Sequence, residues 1–553
     1  MAMTLREQVQ IRLDGMKNVR IDIEEECREI ARFAQPARTR FMASDKDKGT
    51  ARRIRNKRLL DPHGIECFRI LTNGMTSGLS SASRPWFSLT VKDESLANAD
   101  GVRPWLAEVE RRMYAFLART NFYGSVKGGY GEMGLFGTEG CVMLEHSVKG
   151  AVCHPLTFGE YWIALSSAGT PDTLYRRIPM NVRTAVQEFG DAVSPWIRTA
   201  YDQSNYTGNV EVYQAIEPND DFRPDKIGSK PFRSVYWEGG SQKERALLRV
   251  SGMRTQPFWA PRWDVMGGDT YGVSPGMDAL PALRELQMQA KRRNELIDQL
   301  AKPETVQPAN VRITGQPGNR VSAPQGTTRD TVFPAYEVPP QAIQAVGGEI
   351  EKNRTQVEGL SYSSLFQAIT NMEGVQPRNM DEIAARNEEK LMQLGPTIER
   401  VNDEKLGIAI DRTFDIMLHG GMLPEPPQAL AGVNIDVEWV SILAQMQRMV
   451  GMGQIERVVG FVGSLAAAYP EAADKIDADA TIDEYAYRAG APVRMLRSDD
   501  DVAAIRAQRA QQQQQQQMVQ SMPAVKDGAE AAQLLSQADV GGGQTLLNRM
   551  MPA

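Results

Sequence analysis

The chain has 553 residues, 42% of them hydrophobic and 24% charged, with a formal net charge of −6 and a pI of about 5.6. That length suits roughly three or four packed domains, and the acidic balance excludes the strongly basic footprint of a protein that grips nucleic acid. No window approaches 18 uninterrupted apolar residues and the charged N-terminus lacks an apolar h-region, so neither a membrane-spanning helix nor a signal peptide is expected.

In chain order, apolar residues recur at helical spacing from Leu5 to Ala34, which predicts a helix. A basic segment, Arg38 to Arg58, reads as a solvated arm or as an arm meeting a neighbouring subunit or a phosphate backbone. His63–Ser80 predicts a helix ending in a Gly-Ser turn. Arg84-Pro85-Trp86-Phe87-Ser88-Leu89 opens an extended segment, and Val102–Asn121 predicts an amphipathic helix. From about 138 to 263 short β-rich runs such as Cys141–Leu144 and Asn209–Tyr213 alternate with turns, which predicts a mixed α+β domain. Gly276–Lys302 predicts a long helix stopped by Pro303. Residues 303–340 read as a small β module, and Gln341–Leu360 as a returning helix.

Residues 361–378 are polar and read as a loop. From Asn379 to His419 the pattern is one helix of about 40 residues, roughly 60 Å long at 1.5 Å per residue, with a kink expected at Leu394-Gly395-Pro396. His419-Gly420-Gly421 ends it, and Ile435–Trp439 reads as a strand. Residues 443–509 are helical again; Gln511–Gln517 opens a low-complexity tail expected to be disordered unless a partner orders it.

No catalytic constellation emerges. Gly129-Tyr130-Gly131-Glu132-Met133-Gly134 matches GxGxxG, but no strand precedes it, so a glycine turn is the expectation and nucleotide binding the alternative. Gly272-Val273-Ser274-Pro275-Gly276 matches GxSxG, yet Pro275 lacks the N–H an oxyanion hole needs, so a turn leading into a helix is expected. There is no Walker A loop and no HExxH. Cys141, His146, Cys153 and His154 match no common zinc spacing, so buried or free thiols are expected. Ser498-Asp499-Asp500-Asp501 reads as an exposed turn or helix start, and Glu24-Glu25-Glu26 as a solvated helix face. Catalytic, cofactor and metal sites are thus all read as none. Lys291-Arg292-Arg293 reads as a solvated stripe, or as charges facing a subunit or a DNA backbone.

Three stretches carry a resemblance. They are Leu71–Leu79 followed by Arg84–Leu89; Tyr271–Gly276 leading into a helix; and Glu382 with Arg386-Asn387-Glu388-Glu389, Leu394-Gly395-Pro396, Leu423-Pro424 and Val440-Ser441. In this order, over about residues 5–450, they resemble the head-to-tail connecting (portal) proteins of short-tailed double-stranded DNA bacteriophages. One departure is Asn379-Met380-Asp381-Glu382, where family members often carry Thr-Ala-Thr-Glu.

The resemblance implies an α+β, predominantly α-helical portal fold of wing, stem, clip and crown, assembled as a cyclic ring. The wing would span 1–275, the first stem helix 276–302, the clip 303–340 and the second stem helix 341–360. A tunnel loop would span 361–378, a long kinked wing helix and return strand 379–442, a crown 443–510 and a tail 511–553. It implies a structural, non-enzymatic role: a twelve-membered ring at one capsid vertex, passing double-stranded DNA in packaging and ejection. Expected partners are further copies of itself, DNA without sequence specificity, terminase, tail adaptors, and capsid and scaffolding proteins; the expected place is the virion after assembly in the host cytoplasm. Candidate channel residues are Lys291, Arg292, Arg293 and Arg378. Asn371, Glu373, Gly374 and Gln376 are candidates for the tunnel loop, and Arg312, Arg320 and Arg329 for clip contacts. The competing readings are a scaffold without a channel and a nucleotide-binding enzyme using Gly129–Gly134.

Overall fold

The computed structural model describes residues 3–36, 59–93, 101–226, 228–240, 247–306, 333–335, 337–370, 392–430, 432–449, 452–488 and 502–509, with isolated positions between. It comprises two compact units, Met1–Val450 and Gly451–Ala553.

In the first unit, helix α1 (Leu5–Ala34) starts at a capping box, in which Thr4 accepts from the Glu7 amide and the Glu7 carboxylate accepts from the Thr4 amide. Its first half packs Val9, Leu13 and Met16 against Trp162, Tyr175 and Trp237 of a sheet. Its second half buries Cys27, Ile30, Ala31 and Ala34 in the main core. The buried Arg20 lies between these halves, with its guanidinium 4.5 Å from the Trp162 ring and bonded to the Tyr161 carbonyl. Helices α2 (His63–Leu79), α3 (Val102–Arg119) and α4 (Phe122–Phe136) build the helical layer. Strand β1 (Phe87–Thr90) follows α2 and carries Trp86 at its entry.

The β-rich region holds β2 (Gly140–His146), β3 (Gly150–Leu156), β4 (Tyr161–Leu165), β5 (Pro171–Asn181), β6 (Asn209–Pro218), β7 (Phe232–Glu238), β8 (Arg249–Met253) and β9 (Phe258–Trp259). One antiparallel sheet is ordered β3-β2-β9 and a second β4-β5-β6-β7-β8. Two short helices, α5 (Val182–Phe189) and α6 (Pro195–Asp202), cover part of the larger sheet through Ala185, Phe189 and Ile197. The mixed α+β expectation for this stretch matches what is found.

Helix α7 (Pro275–Ala301) begins on the Ser274 cap with Pro275 at its first position. It runs into a short antiparallel pair, β10 (Thr305–Val306) with β11 (Phe333–Pro334), and the chain returns in α8 (Pro340–Leu360). One expectation is corrected here. Part of the presumed loop is helix α9 (Ser363–Thr370), with Leu365 and Phe366 fully buried. The serines around it had obscured a short apolar face that packs on α2. The described chain is helical over 392–401, Gly395 and Pro396 included, and continues through a π-helical segment at Asn402–Gly407 into α10 (Ile408–His419). Strand β12 (Asp436–Trp439) then pairs antiparallel with β1, Phe87 opposite Trp439, and α11 (Ile442–Met449) closes the unit.

The second unit holds α12 (Met452–Ala466), a 3-10 turn at Pro470–Lys475, α13 (Ala478–Arg488) and a helical run at 502–509. The Arg38–Arg58 arm, Ser498–Asp501, residues 379–391 and the tail beyond 512 lie outside the described residues.

Candidate functional site

The α7–α8 hairpin is half rooted and half free. In the first half of α7, Ala279, Leu280, Ala282, Leu283 and Leu286 are buried. From Lys291 to Ala301 no residue of α7 is buried, and on α8 burial begins only at Ile350. The distal halves of both helices therefore stand clear of the rest of the described chain.

The root is fixed by polar ties. The Gln287 side-chain oxygen accepts from the Leu60 and Asp61 amides at 2.8 and 3.1 Å, while its nitrogen donates to the Asp61 carbonyl. The Asp61 carboxylate in turn takes Arg354 of α8 at 2.8 Å, so one short segment holds both helices. The foot of α7 lies directly on α4. Ser274 Oγ donates to the Leu135 carbonyl at 2.8 Å, and a Cβ at Gly276 would come within 2.4 Å of the same oxygen. Ser274 thus serves as a helix cap, as the turn reading of Gly272–Gly276 anticipated.

Lys291, Arg292 and Arg293 all lie on the free half and are exposed. At 100° per residue three consecutive side chains fan over a wide arc, so they share a level of the hairpin without sharing one face. Lys291 makes an i,i+4 ion pair with Glu295 at 3.6 Å, solvated on both sides. Arg378, Asn371, Glu373, Gly374, Gln376, Arg312, Arg320 and Arg329 lie outside the described residues.

The helix carrying the π segment is bound to the β-rich region by buried charges that sequence reasoning missed. Glu404 takes Arg262 through Nη2 at 2.5 Å and Nε at 3.3 Å, and accepts from the Arg262 amide at 3.0 Å. The next residue, Lys405, is fully buried and bonds Glu139 at 2.5 Å, also fully buried. Its ammonium sits 3.7 Å from the Tyr130 ring centroid and donates to the Val126 carbonyl. Trp259 Nε1 donates to Glu139 at 3.0 Å. Burial pushes the Lys405 ammonium below its ordinary range and Glu139 pulls it back up.

An i→i+5 turn brings consecutive residues closer to one face than an α turn does. That lets Glu404 and Lys405 both point into the body. A third cluster follows on α10, where Asp415 holds Arg254 at 3.0 Å, Arg412 at 3.1 Å and His419 at 3.1 Å. In the sequence, Asp403-Glu404-Lys405 reads as a solvated helix face; nothing local distinguishes it.

The GxGxxG reading is corrected. Gly129–Gly134 lie inside α4, buried throughout, and not in a turn. Gly129 is needed for close approach, because a Cβ there would fall 1.8 Å from Glu139 Oε1. A loop able to cradle a pyrophosphate is not formed. The four cysteines are buried free thiols. Cys153 and His154 are neighbours on β3 and face opposite sides, while His146 lies at the far end of the β2–β3 register, so the four do not converge.

The chain matches the family described as "Bacteriophage head to tail connecting protein" over residues 6–496. It therefore belongs to the bacteriophage head-to-tail connecting, or portal, proteins: structural components of the virion that form a homo-oligomeric ring joining capsid to tail. Among its relatives, the "Portal protein" of Salmonella phage epsilon15 is 35% identical over 544 residues, 97% of this chain and 96% of that one. The "Probable portal protein" of Bordetella phage BPP-1 is 36% identical over 523 residues, 93% and 92% of the two chains. A chain from the neck of an empty GTA particle matches at 13% identity and a TM-score of 0.32, covering 71% of this chain and 86% of that one. That likeness carries no further weight. No helix among the described residues is long and apolar enough to cross a membrane.

Proposed function

We propose that the ring has twelve subunits and serves as the conduit for double-stranded DNA at one capsid vertex, during packaging and again during ejection. The observation that carries this reading is the half-free helical hairpin. A pair of helices rooted by Gln287, Asp61 and Arg354 and bare beyond Ala290 suits a stem whose outer surfaces are completed by neighbouring copies. In this reading 276–302 and 341–360 are the stem, 303–340 the clip, 361–378 the tunnel-loop region and 443–510 the crown. Terminase docks at the clip while DNA enters, and tail adaptors take the same surface afterwards. Capsid and scaffolding proteins meet the ring during assembly in the host cytoplasm.

The electrostatics suit a conduit. An acidic chain does not clamp a duplex, while basic side chains at one level of the stem centre it. Electron microscopy with mass photometry tests the reading. Closed rings of about a dozen subunits with an axial hole of roughly 20 Å or more are expected. A chain that stays monomeric even with its capsid and scaffolding proteins overturns it. With rings in hand, the Lys291→Gln, Arg292→Gln, Arg293→Gln triple variant keeps the ring but lowers the salt slope of DNA association, by about 0.9 for each phosphate no longer neutralised. An unchanged slope removes these residues from the channel.

A further inference from the structure

A cavity of about 590 Å³ opens where the end of α3, the β2–β3 turn and the end of α10 meet, all within the first unit. That volume lies in the range of small-molecule sites. Its charged lining is unequal, with Arg119, Lys149 and Arg254 set against Glu145 alone. Glu145 is already engaged, since the buried Arg412 reaches it at 3.2 Å. The lining therefore carries an excess of positive charge.

The side chains of Arg119 and Lys149 make no hydrogen bond or ion pair among the described residues. Arg254 is held differently. Its Nε donates to Asp415 at 3.0 Å, and the Asp415 side chain is only 9% exposed. The guanidinium is thus fixed by one edge, while its two terminal amino groups bond no described residue. A guanidinium oriented in this way presents a fork of N–H donors that matches the oxygens of a carboxylate or phosphate.

Two lining histidines are oriented as well. The Val148 and Lys149 amides donate to His146 Nδ1 at 3.1 and 3.2 Å, which leaves the ring proton on Nε2 as a further donor. His419 Nδ1 donates to the Asp415 carbonyl at 3.0 Å. Oriented donors, surplus positive charge and no free acid fit an oxyanion. They do not fit a metal ion, and among the described residues no group of three or more His, Cys, Asp or Glu is placed to hold one.

We propose that this cavity binds a small multivalent oxyanion, a phosphate or pyrophosphate group. Arg254 is the oriented donor, and Arg119 from α3 and Lys149 from the β2–β3 turn supply the counter-charge. The group belongs either to a free anion or to a nucleic-acid backbone. The inference is independent of the subunit number and of the conduit reading.

The test is calorimetric titration of the full-length protein with inorganic pyrophosphate at low ionic strength, where charged contacts are least screened. One site per chain is expected, half-saturated at about 1 mM or below, the range that three charge-assisted contacts reach. The Arg119→Gln, Lys149→Gln variant changes two exposed positions and should weaken binding about tenfold or more. The Arg103→Gln, Lys127→Gln variant removes the same charge at exposed residues outside the cavity and should bind as wild type. Absence of saturable binding overturns the proposal, as does unchanged binding in the first variant. Equal weakening in both variants also overturns it, by assigning the effect to net charge. A short DNA duplex added at matched phosphate concentration separates the sources, and both results support the oxyanion site. Displacement of pyrophosphate assigns the site to a nucleic-acid backbone, and retention assigns it to a free anion.

Discussion

Replacing Lys405 by Met tests the buried-charge account of how the π-containing helix is held. Lys405 and Glu139 are both fully buried and bonded at 2.5 Å. Methionine roughly preserves the side-chain length, so the change deletes one charge and leaves Glu139 with the Trp259 indole in a dry site. Breaking a buried pair in this way costs about 3–5 kcal/mol, because the surviving charge is uncompensated. Unfolding entropy of about 2.1 cal/mol/K per residue gives roughly 0.9 kcal/mol/K for a unit of 450 residues. The midpoint of that unit should therefore fall by about 3–5 °C in scanning calorimetry. Adding Glu139→Gln to Lys405→Met should restore most of the loss, as apolar or neutral replacement of both partners is often near neutral. A single variant as stable as wild type, or a double variant no better than the single, would refute the reasoning.

Glu217 should give the first unit an acid limb. Burial raises its pKa, but hydrogen bonds from Tyr175, Arg233 and Arg12 outweigh this and hold it below its ordinary value of 4.5. Its stabilisation is thus fully present above about pH 4.5 and lost as pH falls through the lower folded value. In Glu217→Gln, thermal midpoints followed between pH 3 and 7 should lose that component of the slope. Gly276→Ala should destabilise by about 1–3 kcal/mol or more, because its Cβ meets the Leu135 carbonyl oxygen. Gly15→Ala on α1 meets nothing within 4 Å and should be neutral or stabilising by up to about 1 kcal/mol in the same denaturation assay. Finally, burial raises the pKa of Cys27, Cys67 and Cys141. A thiol-reactive dye at pH 8 should therefore label none of the four cysteines in the native chain and all four after unfolding.

Long periodic segments were legible because their local pattern agrees with their packing. Leu5–Ala34 is predicted and found with the same ends. The 276–302 helix is found at Pro275–Ala301, where Ser274, Pro275 and Pro303 supply local start and stop signals. The return strand is found one residue shorter, at Asp436–Trp439. Ser363–Thr370 was hidden because eight residues show barely two turns of pattern, and its polar neighbours dominate the window. The π-helical segment at Asn402–Gly407 carries no local sequence signal that marks it.

By itself the sequence determined the family, through motifs in a fixed order, and the two long helices of the hairpin, through periodicity and prolines. Only the tertiary structure decided which charges are buried. Glu404 and Lys405 look like any solvated pair until Arg262, 142 positions away, and Glu139, 266 positions away, are folded against them. Likewise only the fold placed Gly129–Gly134, read in the sequence as a glycine turn, inside a helix as a buried packing face. The physical reason is the same for both. Helical periodicity is set by neighbours a few residues apart, whereas desolvation and close approach are set by whatever the chain brings from far away.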